Sequence, residues 1–187
     1  IEKSIQYMKQ QPNHQQRSKE WYDARNEKIS ASSIYKVLDS RKSDYKNIKF
    51  EKLGVQLKPF SQSKPIMHGV MFEQISQVLY ETRNNVKIIE FGCIPHPKYD
   101  FIGASPDGVV YLPNILDNHQ NQKYTLEQLC LHRRLIEIKN PYSREINNKI
   151  PSKYENQINA QQAVCGLNVC DYLETNYHFY NNIVEFL

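Results

Sequence analysis

An acidic and a basic residue lie two positions apart in the segment Leu135-Ile136-Glu137-Ile138-Lys139. The apolar residues around them predict a β-strand, and alternate residues of a strand point to the same face. We therefore expect the Glu137 and Lys139 side chains to face one site, with the Ile138 side chain in the core and its carbonyl group near that site. Taken alone, a Glu-x-Lys pair is usually a surface ion pair.

Two further acids precede this strand in the chain. Asp107 lies in Ser105-Pro106-Asp107-Gly108, which predicts a turn after a strand, although Asp is also a standard turn residue. Glu73 lies on a predicted helix, where a lone Glu is usually exposed to solvent. Carboxylates that converge at one end of a sheet provide the oxygen ligands that Mg²⁺ prefers, and the cation activates water and phosphoryl groups. Together with Lys139, which could orient the water or offset transition-state charge, the pattern indicates phosphodiester hydrolysis.

The helices that would position these residues are predicted from capping and periodicity. Ser18 is a suitable N-cap for a short helix, and residues 30–33 are typical of the entry to another over residues 34–38. Residues 39–64 are polar and lysine-rich, which favours a solvated loop. Pro65 suits the first turn of a long helix. Apolar residues at helical spacing predict the core stripe of that helix: Met67, Met71, Ile75, Val78 and Leu79.

The remaining segments predict a central mixed β-sheet flanked by helices, an α/β (α+β) fold in one domain over residues 1–187. Strands are expected over residues 86–91, 99–104, 109–112, 134–139 and 169–175. Ser152 and Glu155 match a capping box for a helix that ends at Gly166. Residues 113–132 predict an inserted loop or small helix. Residues 1–17 predict an N-terminal arm, either loosely held or a helix with few apolar anchors.

The composition narrows the class of protein. The 187 residues are 40% hydrophobic and 11% aromatic, which suits one folded domain and argues against disorder. The net charge of +4 is compatible with a polyanionic partner without requiring one. The four Cys lack metal-binding spacing, and we expect buried thiols in a reducing compartment. The sequence has no apolar segment typical of a membrane span or signal peptide, so we expect no membrane association and an intracellular location, in the cytoplasm or nucleus of a host cell.

Five motifs, in order, resemble those of the lambda-exonuclease and YqaJ-type viral recombinase family of PD-(D/E)xK nucleases, which is related to viral alkaline nucleases. The segment Gly103–Gly108 matches the metal-binding Asp motif of that family almost letter for letter. Two departures are a longer stretch between Asp107 and Glu137 than in compact relatives, and the loss of Trp from the family's Trp-Cys-Asp segment. The other matching segments are Trp21–Arg25 with Ile29–Ser32, Gly69–Glu73, Leu135–Pro141, and Tyr154–Gln157 with Gln161–Gly166.

The resemblance implies a restriction-endonuclease-like core and a role for each matched residue. Mg²⁺, with Mn²⁺ as a substitute, would be held by Asp107, Glu137 and the Ile138 carbonyl, with Glu73 close by as an outer contact or the ligand of a second metal. Lys139 would serve the nucleophilic water. The remaining residues implied by the family are catalytic Gln157, which would orient Lys139 or the water, and substrate-binding Arg25, Ser32, Tyr154 and Gln161, the first two at a 5′ phosphate of the DNA end.

The activity implied is that of a DNA exonuclease, acting 5′→3′ on duplex ends in viral or phage recombination or replication. A single-strand annealing protein is the partner implied, and an oligomer is compatible with the family. Arg133 and Arg134, which flank the Glu137 strand, are expected to contact DNA. Three alternatives stay open: a structure-selective endonuclease of the same fold acting on DNA or RNA, a module that binds DNA without cutting it, and an iron–sulfur nuclease, which would need four clustered Cys ligands.

Overall fold

The computed structural model describes residues 1–38, 42–54, 63–112 and 133–177. Within these ranges no helix combines the length and the apolarity that a membrane span needs. A short 3₁₀ helix over Ala31–Ser33 joins β1 to α3. In chain order the other elements are α1 (Glu2–Gln10), α2 (Lys19–Asn26), β1 (Ile29–Ser30), α3 (Tyr35–Leu38), α4 (Lys42–Lys52), α5 (Lys64–Asn84), β2 (Lys87–Ile89), β3 (Ile94–Pro95), β4 (Ile102–Ala104), β5 (Gly108–Tyr111), β6 (Arg134–Lys139), α6 (Ser152–Cys165) and β7 (Cys170–Glu174).

The strands form two mixed sheets. The smaller sheet has the order β1-β4-β3, with β1 parallel and β3 antiparallel to β4. The larger sheet has the order β2-β5-β6-β7, in which β6 and β7 are parallel and the other neighbours antiparallel. The predicted α/β (α+β) class with mixed strand pairing and flanking helices is confirmed, and the strands form two sheets where one central sheet is predicted.

Strands β5 and β6 are buried on both faces, because their apolar side chains point to opposite sides of the sheet and enter two separate hydrophobic clusters. Leu135 lies in the cluster that α1 and α6 cover, whereas Ile136 and Ile138 lie in the cluster beneath Tyr80 of α5. The predicted core position of the Ile138 side chain is confirmed. Since alternate residues share a face, Glu137 lies on the Leu135 side of the sheet, toward α6.

Two predicted helix termini are confirmed, and one is wrong. The Ser18 hydroxyl caps α2 by accepting a hydrogen bond from Trp21 N at 3.2 Å. Gly166 ends α6 with a φ of +65°, a conformation that favours glycine. The capping box is wrong, because Pro151 is the N-cap of α6 and Ser152 already lies in its first turn without a side-chain cap.

The core stripe predicted on α5 is also wrong. Met71 and Val78 are 55% and 57% exposed, and Met67 and Ile75 are exposed as well, whereas Leu79 is only half-buried. The inward face of α5 instead carries His68, Phe72 and Ser76. Polar residues are favoured there because the face meets the hydrogen-bonding groups of Asn140 and Thr175, to which Ser76 is bonded.

Other predicted segments differ in extent or type. The solvated loop predicted over residues 39–64 is wrong in part, because α4 occupies Lys42–Lys52 with Ile48 as its buried anchor. The strand predicted over residues 99–104 is shorter, since His96 Nδ1 accepts hydrogen bonds from the backbone of residues 98 and 99 and turns the chain there. The N-terminal segment forms helix α1, with Ile5 and Met8 buried. The insertion predicted over residues 113–132 lies outside the described residues.

Candidate active site

Glu137 is the most deeply placed acid of the candidate site. Its side chain is fully buried on β6, and three donors from two elements engage both of its oxygens. Gln157 Nε2 donates to Oε1 at 2.6 Å, and Gln161 Nε2 donates to Oε2 at 2.6 Å. Lys139 also donates to Oε1. The carboxylate is therefore held in one orientation by strand β6 and helix α6 together.

Asp107 reaches the same place from the turn before β5. Its Oδ2 accepts a hydrogen bond from Ile138 N at 2.6 Å, which locks the turn onto β6. The neighbouring Gly108 lets the start of β5 pack closely against β2, because a Cβ atom there would lie 2.2 Å from Ile88 Cγ2. Asp107 keeps a small accessible surface, but loss of solvation raises its pKa well above the usual range, and the charge of Glu137 raises it further. A nearby positive charge would stabilise two carboxylates that repel each other in this way.

Lys139 supplies the counter-charge within the site. Burial works to lower the pKa of its ammonium group, but the charges of Glu137 and Asp107 outweigh burial and leave the pKa above its usual value. The ammonium group also lies 5.2 Å from the centre of the Tyr154 ring. Lys139 is therefore charged at neutral pH and available to orient or stabilise an oxygen beside the two carboxylates.

Glu73, on the α5 side, is the third acid. Arg17 Nη2 donates to Glu73 Oε2 at 2.5 Å. Burial raises the pKa of Glu73, whereas the charges of Arg17 and Lys139 lower it. Glu73 acts electrostatically on Asp107 in turn, so the three predicted acids lie in one neighbourhood.

Helix α6 brings two glutamines to the site, and the structure changes the role of one of them. The resemblance implies that Gln161 binds substrate, but Gln161 is 1% exposed and donates to Glu137, so it cannot reach a substrate from this position. Gln157 contacts Glu137 rather than Lys139. Both amides thus hold the carboxylate, four residues apart on one face of α6.

Arg25 and Ser32 are brought together as the resemblance implies. Arg25 Nη2 donates to Ser32 Oγ at 3.0 Å, and its guanidinium stacks over the Trp21 ring at 4.3 Å. Burial lowers the pKa of Arg25, and the charges of Glu137 and Asp107 act in the opposite direction. The pair is suited to a phosphate near the buried carboxylates.

A cleft of about 620 Å³ opens beside these residues. Its walls include three predicted catalytic side chains, Glu73, Lys139 and Gln157, whereas Asp107 and Glu137 do not line it. The cleft therefore gives access to the predicted chemistry. Its rim and walls are completed by Ser32, Tyr35, Pro65, Ile66, Gly69, Val70, Ile138, Asn140, Pro141, Tyr142, Ser143, Arg144, Lys153 and Tyr154.

The oxygen donors at this place fit a hard cation with an incomplete protein cage. Asp107, Glu137 and the Ile138 carbonyl are hard donors, and the repulsion between the two carboxylates favours a cation. Among the described residues no group of three or more His, Cys, Asp or Glu side chains forms a metal cage. Mg²⁺ is usually bound by one or two protein carboxylates, with waters and substrate phosphates as its other ligands. The three Cys of the described ranges, Cys93, Cys165 and Cys170, are unlinked thiols.

Two arginines near the site were not found from the sequence. Arg17 precedes the Ser18 helix cap, and nothing in its local pattern indicates contact with a residue 56 positions away. Arg144 lines the cleft and is held by Glu174, again over a long sequence separation. Arg134, which is predicted to contact DNA, pairs with Asp171 in the structure, and its contact with DNA stays a prediction.

Comparison with known proteins identifies the family of this chain. A family model described as the YqaJ-like viral recombinase domain matches residues 20–168, and the chain belongs to that family. An uncharacterized protein of Acanthamoeba polyphaga mimivirus is 34% identical over 98% of this chain and 33% of its own length. A protein of African swine fever virus is 29% identical over 80% of this chain and 46% of its own length. The chain thus spans less than half the length of either relative.

The fold also has a solved counterpart. The crystal structure of an alkaline exonuclease from Laribacter hongkongensis superposes with a TM-score of 0.67 at 23% identity, over 88% of this chain and 77% of that one. The same enzyme in complex with dAMP superposes with a TM-score of 0.64 at 24% identity, over 84% of this chain and 73% of that one. The predicted restriction-endonuclease-like core is confirmed.

Proposed function

We propose that the chain is a Mg²⁺-dependent DNA exonuclease that degrades duplex ends in the 5′→3′ direction. The observation that carries the proposal is the convergence of Asp107, Glu137 and Lys139, from the turn before β5 and from β6, beside an open cleft. Membership of a recombinase family supports DNA as the substrate. The solved alkaline exonuclease binds dAMP, a nucleoside monophosphate of the kind that exonucleases release, which supports stepwise removal of nucleotides.

In the proposed mechanism, Asp107, Glu137 and the Ile138 carbonyl would hold Mg²⁺, with Glu73 beside them on α5 as an outer contact or the ligand of a second metal. When bound, Mg²⁺ polarises the phosphoryl oxygen and lowers the pKa of a water nucleophile. Gln157 and Gln161 fix the Glu137 carboxylate, so that little reorganisation is needed when substrate enters.

Lys139 orients the attacking water and stabilises the charge that develops on the phosphoryl oxygens. In the described structure its ammonium group donates to Glu137 Oε1, at the edge of the site that would hold the cation. Arg25 and Ser32 bind the terminal 5′ phosphate, which places the first phosphodiester bond at the carboxylates and gives the reaction its polarity. We further propose an intracellular setting and a single-strand annealing protein as partner.

The proposal is tested by comparing one plasmid in two forms, as a covalently closed circle and after a single restriction cut. We expect Mg²⁺-dependent release of mononucleotides from the linear form alone, and no release in EDTA. Cutting of the circle would instead indicate an endonuclease. Binding without loss of either form would indicate a module that does not cut DNA.

Polarity is tested on linear duplexes that carry nuclease-resistant phosphorothioate linkages at either their 5′ or their 3′ ends. We expect 5′ blocks to stop degradation and 3′ blocks to leave its start unaffected. The reverse pattern would contradict the proposed direction while leaving the exonuclease activity in place.

A further inference from the structure

The candidate site contains an arginine that the proposed mechanism does not use. Arg17 lies between α1 and α2, and its guanidinium donates to Glu73. That contact engages one of the five N–H donors of a guanidinium. The Arg17 side chain is 39% exposed, so its other donors can meet a ligand that enters beside Glu73.

The backbone presents Arg17 in an unusual conformation. Its φ of +68° lies in the left-handed region, which residues other than glycine rarely adopt. Two neighbours hold it there: Gln16 Nε2 donates to Pro106 O at 3.2 Å, and Ser18 begins α2. The segment is thereby tied to the Asp107 turn on one side and to a helix on the other. Residues other than glycine that their surroundings hold in such a conformation cluster at active sites and ligand-binding sites.

The negative charge of the site indicates the kind of ligand that suits Arg17. A DNA strand that approaches Glu73, Asp107 and Glu137 needs cationic groups to offset the repulsion between phosphates and carboxylates. Arg25 already provides a guanidinium within electrostatic reach of Asp107 and Glu137. Arg17 provides a second one at Glu73, and a guanidinium can donate two parallel hydrogen bonds to a phosphate.

We propose that Arg17 is a substrate-binding residue that contacts a phosphate of the DNA strand beside Glu73, with Glu73 orienting its guanidinium. This inference rests on the proposed function, because it requires DNA in the cleft. It assigns to the N-terminal segment a direct part in binding the strand.

The test measures binding of a 5′-phosphorylated duplex by fluorescence anisotropy in EDTA, across a series of salt concentrations. The variant is Arg17→Gly, because glycine suits a φ of +68° and so removes the side chain without added backbone strain. We expect binding to weaken by about tenfold and the slope of log K against log salt to become shallower by about 0.9. The matched control is Lys19→Ala, which removes one charge from a side chain that is 86% exposed and pairs with Asp23 at the surface.

A double-mutant cycle with Glu73→Gln separates the two possible actions of Arg17. If Arg17 contacts phosphate, Arg17→Gly weakens binding in the Glu73→Gln background as well. Loss of the effect in that background, or an effect no larger than that of Lys19→Ala, would overturn the inference and leave the proposed function intact. Failure of the wild-type protein to bind the duplex at any salt concentration would overturn both.

Discussion

Replacing Gln161 with Met removes one of the amides that hold the Glu137 carboxylate, while keeping a side chain of similar size. Gln161 Nε2 lies 2.6 Å from Glu137 Oε2, and both side chains are buried. A hydrogen bond to a charged group contributes about 1.5–3 kcal/mol. Gln161 Oε1 is itself buried without a hydrogen-bond partner in the described structure, so its removal stabilises the folded state by roughly 1 kcal/mol.

The expected net loss is about 0.5–2 kcal/mol of unfolding free energy, or a fall of roughly 1–8 °C in the thermal midpoint for a chain of this size. Urea and thermal unfolding in EDTA measure it, with Gln162→Met as the control. Gln162, the next residue of α6, makes an exposed hydrogen bond to Asn168 O, so its replacement should cost within about 0.5 kcal/mol. The reasoning is refuted if Gln161→Met costs no more than Gln162→Met, or if Glu137→Gln leaves the cost of Gln161→Met unchanged.

Three further outcomes follow from the same geometry. Asp107→Asn in EDTA should raise the thermal midpoint by about 2–4 °C at pH 8, because it removes a carboxylate that Glu137 repels. Since the pKa of Asp107 is raised in the folded state, this gain should shrink as the pH falls toward 4. A gain that does not depend on pH would contradict the prediction. Gly108→Ala should cost roughly 1–3 kcal/mol in urea unfolding, because the added Cβ meets Ile88, and an unchanged unfolding midpoint would count against the described packing. Arg25→Ala should abolish the preference for 5′-phosphorylated over 5′-hydroxyl ends in steady-state digestion, and a retained preference would place the end phosphate elsewhere.

The parts of the fold that were predictable depend on local chemistry. The apolar residues around Glu137 located β6 at residues 134–139, and the Pro-Asp-Gly turn located Asp107 just before β5. Ser18 and Gly166 marked helix ends because a hydroxyl cap and a left-handed glycine act within one helical turn.

The parts that failed depend on which surface each element meets. The apolar residues of α5 have the spacing of a core stripe, but α5 packs against the polar ends of β6 and β7, so the face with His68 and Ser76 is buried instead. The contacts of Arg17 and Gln161 were missed for the same reason, since their partners lie 56 and 24 positions away in the chain. Family resemblance supplied residue roles that spacing alone could not give, but it grouped Gln161 with the substrate-binding residues.

The most direct test of the account is single-turnover hydrolysis of a 5′-phosphorylated linear duplex in Mg²⁺ by four proteins. These are the wild type, Asp107→Asn, Lys139→Ala and the control Lys87→Ala, which alters a surface ion pair with Glu81. We predict that Asp107→Asn and Lys139→Ala each lower the rate by about 10²-fold or more, and that Lys87→Ala leaves it unchanged. Cleavage by Asp107→Asn or Lys139→Ala at the wild-type rate would contradict the assignment of this site.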